Sequence, residues 1–161
     1  QDISDWDVSK VTDMEGLFAS SEAFNQDISS WDVSSVTEFR AMFRDAIAFN
    51  QDISGWEMDA ALDLGLMFSG ASSFNQDLSS WNVSNVTQMD WMFEDAVAFN
   101  QDISNWNVGQ VTDMREMFRN ASVFNQDISN WDTSNVSNCD DFSTGSALEI
   151  AHLPILGCFA P

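Results

Sequence analysis

Tyrosine is absent from this 161-residue chain, lysine and arginine together number 5, and there are only two cysteines, two prolines and one histidine. The shortage of cations has the widest consequence. Against 26 acidic residues it leaves a formal net charge of −21, a field that repels phosphate backbones and anionic lipid headgroups. Nucleic acid is therefore excluded as a partner, while cations, basic proteins and neutral sugars are not. The same charge also keeps an aromatic-rich chain soluble. No stretch approaches the ~18 consecutive apolar residues of a membrane span. The N-terminus shows neither the basic nor the apolar region of a signal peptide. Since Gln1 enters a repeat part-way through, the expectation is a fragment or processed product whose original start lay upstream. The single His152 has no cysteine near it in the repeats and no glycine-rich phosphate loop exists, so no enzyme is expected.

What the chain has in abundance is 13 Phe, 7 Trp and 8 Met, in the places that Leu, Ile and Val usually fill. Its length suits one domain with a substantial core. Displaced by 25 residues, the sequence superimposes Trp6, Trp31, Trp56, Trp81, Trp106 and Trp131 without insertion or deletion. Asp2, Asp27, Asp52, Asp77, Asp102 and Asp127 keep the same register, as do Phe24, Phe49, Phe74, Phe99 and Phe124, each followed by Asn. A fixed period of this length marks stacked units, none of which can bury its apolar face alone.

Each unit changes its internal period half-way. In Ile28, Trp31, Val33 and Val36 only Trp31 and Val33 share strand parity, which predicts a bend near Ser29-Ser30 and a very short strand around Trp31-Asp32-Val33. Met89, Met92, Phe93 and Ala96 then fall at i, i+3, i+4 and i+7, a helical stripe. Thr12, Thr37, Thr87 and Thr112 stand where an N-cap belongs, and Thr12 with Glu15 has capping-box spacing. The expected fold class is thus an α/β repeat: a right-handed, leucine-rich-repeat-like solenoid with one short parallel strand and one short helix per 25-residue coil. The Trp and Met columns are expected to form its core. The third unit departs from the others, with Met58-Asp59-Ala60-Ala61-Leu62-Asp63-Leu64 in place of V-S-x-V-T-x-M. This is drift, an earlier helix start or a locally distinct surface.

The I-x-x-W-x-V core, followed by V-T-x-M-x-x-M-F and F-N-Q-D, resembles the repeat of the BspA-type leucine-rich-repeat surface proteins over residues 1 to about 138. That resemblance implies a secreted or surface-displayed protein, extracellular or on the cell surface, that binds host, matrix or other partners through its repeat face and has no catalytic activity.

The repeat dissolves after Val136, dividing the chain into a repeat array over 1–138 and a degenerate C-terminal cap over 139–161. Leu148, Ile150, Leu153, Ile155, Leu156 and Phe159 are candidates to cover the end of the stack. Cys139 and Cys158 bracket this cap. They are either two buried thiols or a disulfide closing a loop of about 20 residues, which extracellular context and location favour.

Two polar columns are candidate sites. In the first, Asp27, Asp52, Asp77, Asp102 and Asp127 either accept backbone N–H bonds at a corner, as Asx-turns do, or bind Ca²⁺ with oxygens from successive coils. No other cofactor is indicated. In the second, the outward positions beside the tryptophans, Ser30, Asp32, Glu57, Asn82, Asn107 and Asp132, form either a solvated face or a binding surface for a polar or cationic group of a protein or glycan. Asn82, Asn85, Asn120 and Asn135 lie in N-x-S/T sequons, potential glycan acceptors in a secreted eukaryotic product. The leading expectation is an adhesin-like interaction module. Its rivals are a structural spacer or lattice subunit that assembles end to end with further repeats, and an ice-binding array using Ser4, Ser29, Ser54, Ser79, Ser104 and Ser129.

Overall fold

In the computed structural model, residues 2–159 are described. Numbering coils from Gln1, Gln26, Gln51, Gln76, Gln101 and Gln126, each 25-residue turn of chain lies on the one before it. The stacking is seen in five isolated parallel bridges, Asp13 to Glu38, Glu38 to Asp63, Asp63 to Gln88, Gln88 to Asp113 and Asp113 to Asn138.

The expected α/β leucine-rich-repeat architecture does not form. Among the described residues there is no α-helix and no extended strand, and regular structure is confined to two 3₁₀ turns, Ile150–His152 and Gly157–Phe159. The backbone is otherwise a succession of tight turns, and the reasons are visible in where its hydrogen bonds go.

Around Trp31 the chain is pinched at both ends. Trp31 N–H donates to the Ile28 carbonyl at 3.1 Å and Val36 N–H to the Val33 carbonyl at 2.9 Å. Two such turns leave too few residues between them for a strand. The coils are joined here by side chains instead. From coil 2 onward the indole Nε1 of the repeat tryptophan reaches back to the preceding coil: Trp31 to the Ile3 carbonyl, Trp56 to Ile28, Trp81 to Ile53, Trp106 to Leu78 and Trp131 to Ile103, all at 3.0–3.2 Å. A buried indole N–H needs such a partner, and the repeat supplies one per coil.

The second half fails to become helical because alternate N–H groups are spent between coils. Met14, Gly16, Phe18 and Ser20 donate to the carbonyls of Glu38, Arg40, Met42 and Arg44, whereas Leu17, Ala19 and Ser21 donate three residues back within their own coil. Two positions per coil adopt left-handed backbone to allow this. Residues 41, 66, 91 and 116 have φ of 54–59°, and 45, 70, 95 and 120 have φ of 53–70°. An α-helix cannot pass through such residues. Gly70 shows the constraint directly: besides its φ of +70°, a Cβ there would collide with the Asp45 carboxylate. The apolar stripe nevertheless faces inward, with Met89, Met92, Phe93 and Ala96 fully buried. The irregular third coil follows the same path as its neighbours, since Leu62 N–H donates to the Thr37 carbonyl as Thr87 N–H does to that of Leu62.

Two phenylalanine ladders run through the stack. Phe18, Phe43, Phe68, Phe93 and Phe118 stack at 5.6–5.8 Å, and Phe24, Phe49, Phe74, Phe99 and Phe124 at 5.8–6.1 Å. Within each coil the two rings lie 3.8–4.0 Å apart. Full burial of each ring stabilises by roughly 2–3 kcal/mol at ~25 cal/mol per Å².

The ladder ends where Phe142 meets Phe118 edge-on at 84°. Beyond it the cap imitates a further coil. Glu149 N–H donates to Asn125 Oδ1 as each ladder Asn does to its predecessor, and Cys158 N–H donates to the Val136 carbonyl. Thr133, fully buried in a column otherwise held by Val8, Val33, Met58, Val83 and Val108, donates its hydroxyl to the Leu156 carbonyl at 2.9 Å. Cys139 and Cys158 are joined as a disulfide. Of the six apolar residues expected to cover the end, Leu148, Leu153 and Phe159 pack against the core, while Ile150, Ile155 and Leu156 face outward.

A candidate binding groove at the third coil

The outer surface is built from short Asx corners, up to three per coil. At the first, Ser29, Ser54, Ser79, Ser104 and Ser129 donate N–H to Asp27, Asp52, Asp77, Asp102 and Asp127 at 2.8–3.1 Å. At the second, Ser34, Ser84, Gly109 and Ser134 donate to Asp32, Asn82, Asn107 and Asp132. At the third, Glu15, Gly65 and Arg115 donate to Asp13, Asp63 and Asp113. A short side-chain oxygen bonding the N–H two residues on is the local reason Asp and Asn recur here.

Each carboxylate of the Asp column thus closes an exposed Asx corner. The Ser29 N–H and hydroxyl hold Asp27 below the ordinary carboxylate range, against the opposing charges of Asp2 and Asp52. The Ser54 hydroxyl and N–H do the same for Asp52, and Asp77, Asp102 and Asp127 are lowered in the same way by Ser79, Ser104 and Ser129. Among the described residues no group of three or more His, Cys, Asp or Glu side chains is placed to hold a metal ion. The Ser129 hydroxyl also donates to Asp127 Oδ1, at 2.7 Å.

These lowered pKa values fix the sign of the acid response. A carboxylate whose folded pKa lies below its unfolded value of 3.8 adds stability above that value and loses it as pH falls through the folded pKa. Glu94, raised by burial, acts the other way but is one group. The midpoint of thermal unfolding, measured at pH 7, 5 and 3 at constant ionic strength, should hold between pH 7 and 5 and drop by pH 3, although the net charge shrinks. A rise at pH 3 would mean that charge repulsion outweighs the corners.

The second column is mostly occupied. Ser30 and Ser80 hydroxyls and the Asn105 and Asn130 amides each donate to a carbonyl of the preceding coil, Ser4, Ser54, Ser79 and Ser104 respectively. Coil 3 breaks this series. Gly55 has no side chain to reach the Ser29 carbonyl, and a Cβ built there meets nothing within 4 Å. Two residues on, Glu57 replaces the Asp or Asn of the Asx corner, and Asp59 binds Asn82 instead. The result is an open groove of about 300 Å³ between Ser29–Ser34 and Gly55 and Glu57, with Trp31 at its base. It brings together Ser30, Asp32 and Glu57. Asn82, Asn107 and Asp132 lie outside it, on later coils.

Three of the four sequon amides are engaged. Asn85 donates Nδ2 to the Asp59 carbonyl, Asn135 to that of Gly109, and Asn82 to the Asp59 carboxylate. Asn120 is exposed, with left-handed backbone.

On the turn side, a feature not legible in the repeat links three coils. Arg40 of coil 2 crosses coil 3 to make a bidentate pair with Asp90 of coil 4, at 3.1 and 2.8 Å, and also contacts Asp63. It passes over Gly65, where any Cβ would strike the guanidinium. Asp90 is buried, and its hydrogen bonds raise the Arg40 pKa further. Arg40→Met should cost about 2 kcal/mol in denaturant unfolding, less than the 3–5 for a fully buried pair because Arg40 is partly exposed. A loss under 0.5 kcal/mol would show the pair to be a surface contact. The sequence signal was the column Glu15, Arg40, Gly65, Asp90, Arg115, whose charge alternates around one glycine.

A model of the family DUF285, described as a Mycoplasma protein of unknown function, matches residues 1–90 and again residues 61–150. The chain belongs to the DUF285 family. The two overlapping matches cover the stack from its first coil into its cap, which agrees with every coil of this DUF285 chain being built alike. No curated protein and no solved structure matches it. Among its described residues, no helix is long and apolar enough to cross a membrane.

Proposed function

We propose that this DUF285 chain is a non-catalytic interaction module, related in role to the BspA-type surface repeat proteins and acting extracellularly or at a cell surface. Its contact is the groove at coil 3, and its ligand is a cationic side chain of a protein partner. The supporting observation is the broken rung. The Ser29 carbonyl, which the repeat satisfies elsewhere with a Ser or Asn side chain, is left open beside Gly55, and the Asp32 and Glu57 carboxylates flank it. An ammonium or guanidinium group has the charge and the donors that these three acceptor groups lack. A rigid stack presents them without ordering cost.

Gly55→Ser tests this reading with a variant expected to fold well, because the new hydroxyl restores the rung as Ser80 does at the next one. Octalysine titrated into ¹⁵N-labelled protein should shift the amides of Ser29, Gly55 and Glu57, with an affinity that weakens as salt rises. In Gly55→Ser the shifts at Ser29 and Glu57 should shrink several-fold while responses elsewhere persist. Equal shifts in both proteins, spread over all acidic corners, would reduce the groove to part of a diffuse acidic surface.

A further inference from the structure

Coil 3 lacks more than one rung. Three columns of side chains tie a coil to the one before it by donating to a carbonyl there. The first is the series of Ser30, Ser80, Asn105 and Asn130, which Gly55 interrupts. In the second, the Ser35 hydroxyl and the Asn85 and Asn135 amides reach the carbonyls of Ser9, Asp59 and Gly109 at 2.7–2.9 Å. In the third, the Thr37, Thr87, Thr112 and Ser137 hydroxyls reach the carbonyls of Thr12, Leu62, Thr87 and Thr112. Coil 3 carries Gly55, Ala60 and Leu62 at these three positions, and none of them has a side-chain donor.

The three losses differ in consequence. The Thr37 carbonyl is still satisfied, because the Leu62 N–H donates to it at 2.9 Å. The carbonyls of Ser29 and Ser34 have no such substitute, and neither accepts a hydrogen bond among the described residues. They stand at the two ends of the segment that lines the groove, with the exposed Asp32 between them. One coil on, Glu57 holds the register position of Asp32, and Asp59 holds that of Ser34. Coil 5 shows what a single loss looks like. Gln110 leaves the Ser84 carbonyl without a side-chain donor, but Asn105 fills the first rung there, and the positions between are the neutral Asn82 and Asn107.

We infer that the groove has a second acceptor position, the Ser34 carbonyl beside Ala60, and that the partner it fits presents two basic side chains at a fixed spacing on one peptide segment. This rests on the groove being a site for a cationic side chain, and adds to that reading the number of cations and their separation. An open backbone carbonyl accepts from an ammonium or a guanidinium, and Asp32, Glu57 and Asp59 supply negative charge for two such groups. Once the first cation is seated, the second binds from the same chain, at an effective concentration set by the length between them. Affinity then passes through an optimum as the spacing is varied. A diffuse acidic surface has no fixed pair of acceptors and gives no optimum.

The test uses capped glycine peptides that carry either one lysine or two lysines with a varied number of glycines between them, titrated at constant ionic strength into the ¹⁵N-labelled chain. The best-spaced two-lysine peptide should bind about ten-fold tighter than the one-lysine peptide. It should also add shifts at Ser34 and Ala60 to those at Ser29 and Glu57. Ala60→Asn restores the second rung as Asn85 does in the next coil, and Asn135 shows that the fold carries Asn at this position again. In this variant the two-lysine peptide should fall to the affinity of the one-lysine peptide, which itself should bind as before. Equal affinity at every spacing overturns the second position, and so does an undiminished two-lysine advantage in Ala60→Asn; both leave the groove as a site for one cation. If no peptide shifts Ser29 or Glu57 in the unaltered chain, the groove reading fails and the second position falls with it.

Discussion

Replacing Phe68 by alanine should destabilise the protein by about 4 kcal/mol, within the usual range for a buried phenylalanine. Phe68 has a ring on every side: Phe43 at 5.7 Å, Phe93 at 5.6 Å, Phe74 at 4.0 Å and Trp81 at 6.2 Å. The site cannot collapse around the void, because its neighbours are held in register by backbone bonds on both coils, Phe68 N–H to the Met92 carbonyl and Phe43 N–H to that of Met67. The contrast with Phe18→Ala is the sharper part of the expectation. Phe18 occupies the same column but has no coil above it, and it is only partly buried. It should cost clearly less, roughly two-thirds as much, since Phe18 keeps Phe24, Trp31 and Phe43 but lacks the ring of a preceding coil and is only partly buried. Chemical denaturation of both variants measures this, and equal losses would mean that the stack unfolds without regard to position.

Reducing the Cys139–Cys158 disulfide should remove about 3 kcal/mol, the chain-entropy value for a closed loop of this size. The two cysteines lie 19 residues apart in sequence and tie the cap to the last coil. The cap's other polar holds are Thr133 to Leu156, Cys158 to Val136, Ile128 to His152, and Glu149 and His152 to Asn125, beside the edge-on contact of Phe142 with Phe159 at 4.8 Å. With the bridge reduced, amide exchange should accelerate first at Cys158 and Phe159, and only later along the phenylalanine ladders. Simultaneous acceleration throughout would show that the cap and the stack unfold as one unit. An unchanged midpoint in reductant would show that the packed contacts of Leu148, Leu153 and Phe159 hold the end without the bridge.

What the sequence determined by itself was the order of the molecule: the 25-residue register and the inward columns of Trp, Met and Phe. Register is legible because identical spacing forces identical contacts, so a column in the sequence becomes a row in space. The Asp column was readable too, since a carboxylate bonding the N–H two residues on is a local event. The secondary structure was not. Val33 and Trp31 have strand parity and Met89, Met92, Phe93 and Ala96 have helical spacing, yet neither element exists, because periodicity reports which side chains face the core and not which carbonyl each N–H finds. That choice was tertiary: Met14, Gly16, Phe18 and Ser20 give their N–H groups to the next coil, and the left-handed residues at 16 and 20 that make this geometry available preclude a helix. The groove also needed the stack, since the meaning of Gly55 lies in the Ser29 carbonyl one coil away that it leaves unpaired, and the meaning of Gly65 in an arginine that passes over it from coil 2 to coil 4. Local chemistry was written along the chain, and contacts between coils, 25 or 50 residues apart, were settled only when the coils lay on one another.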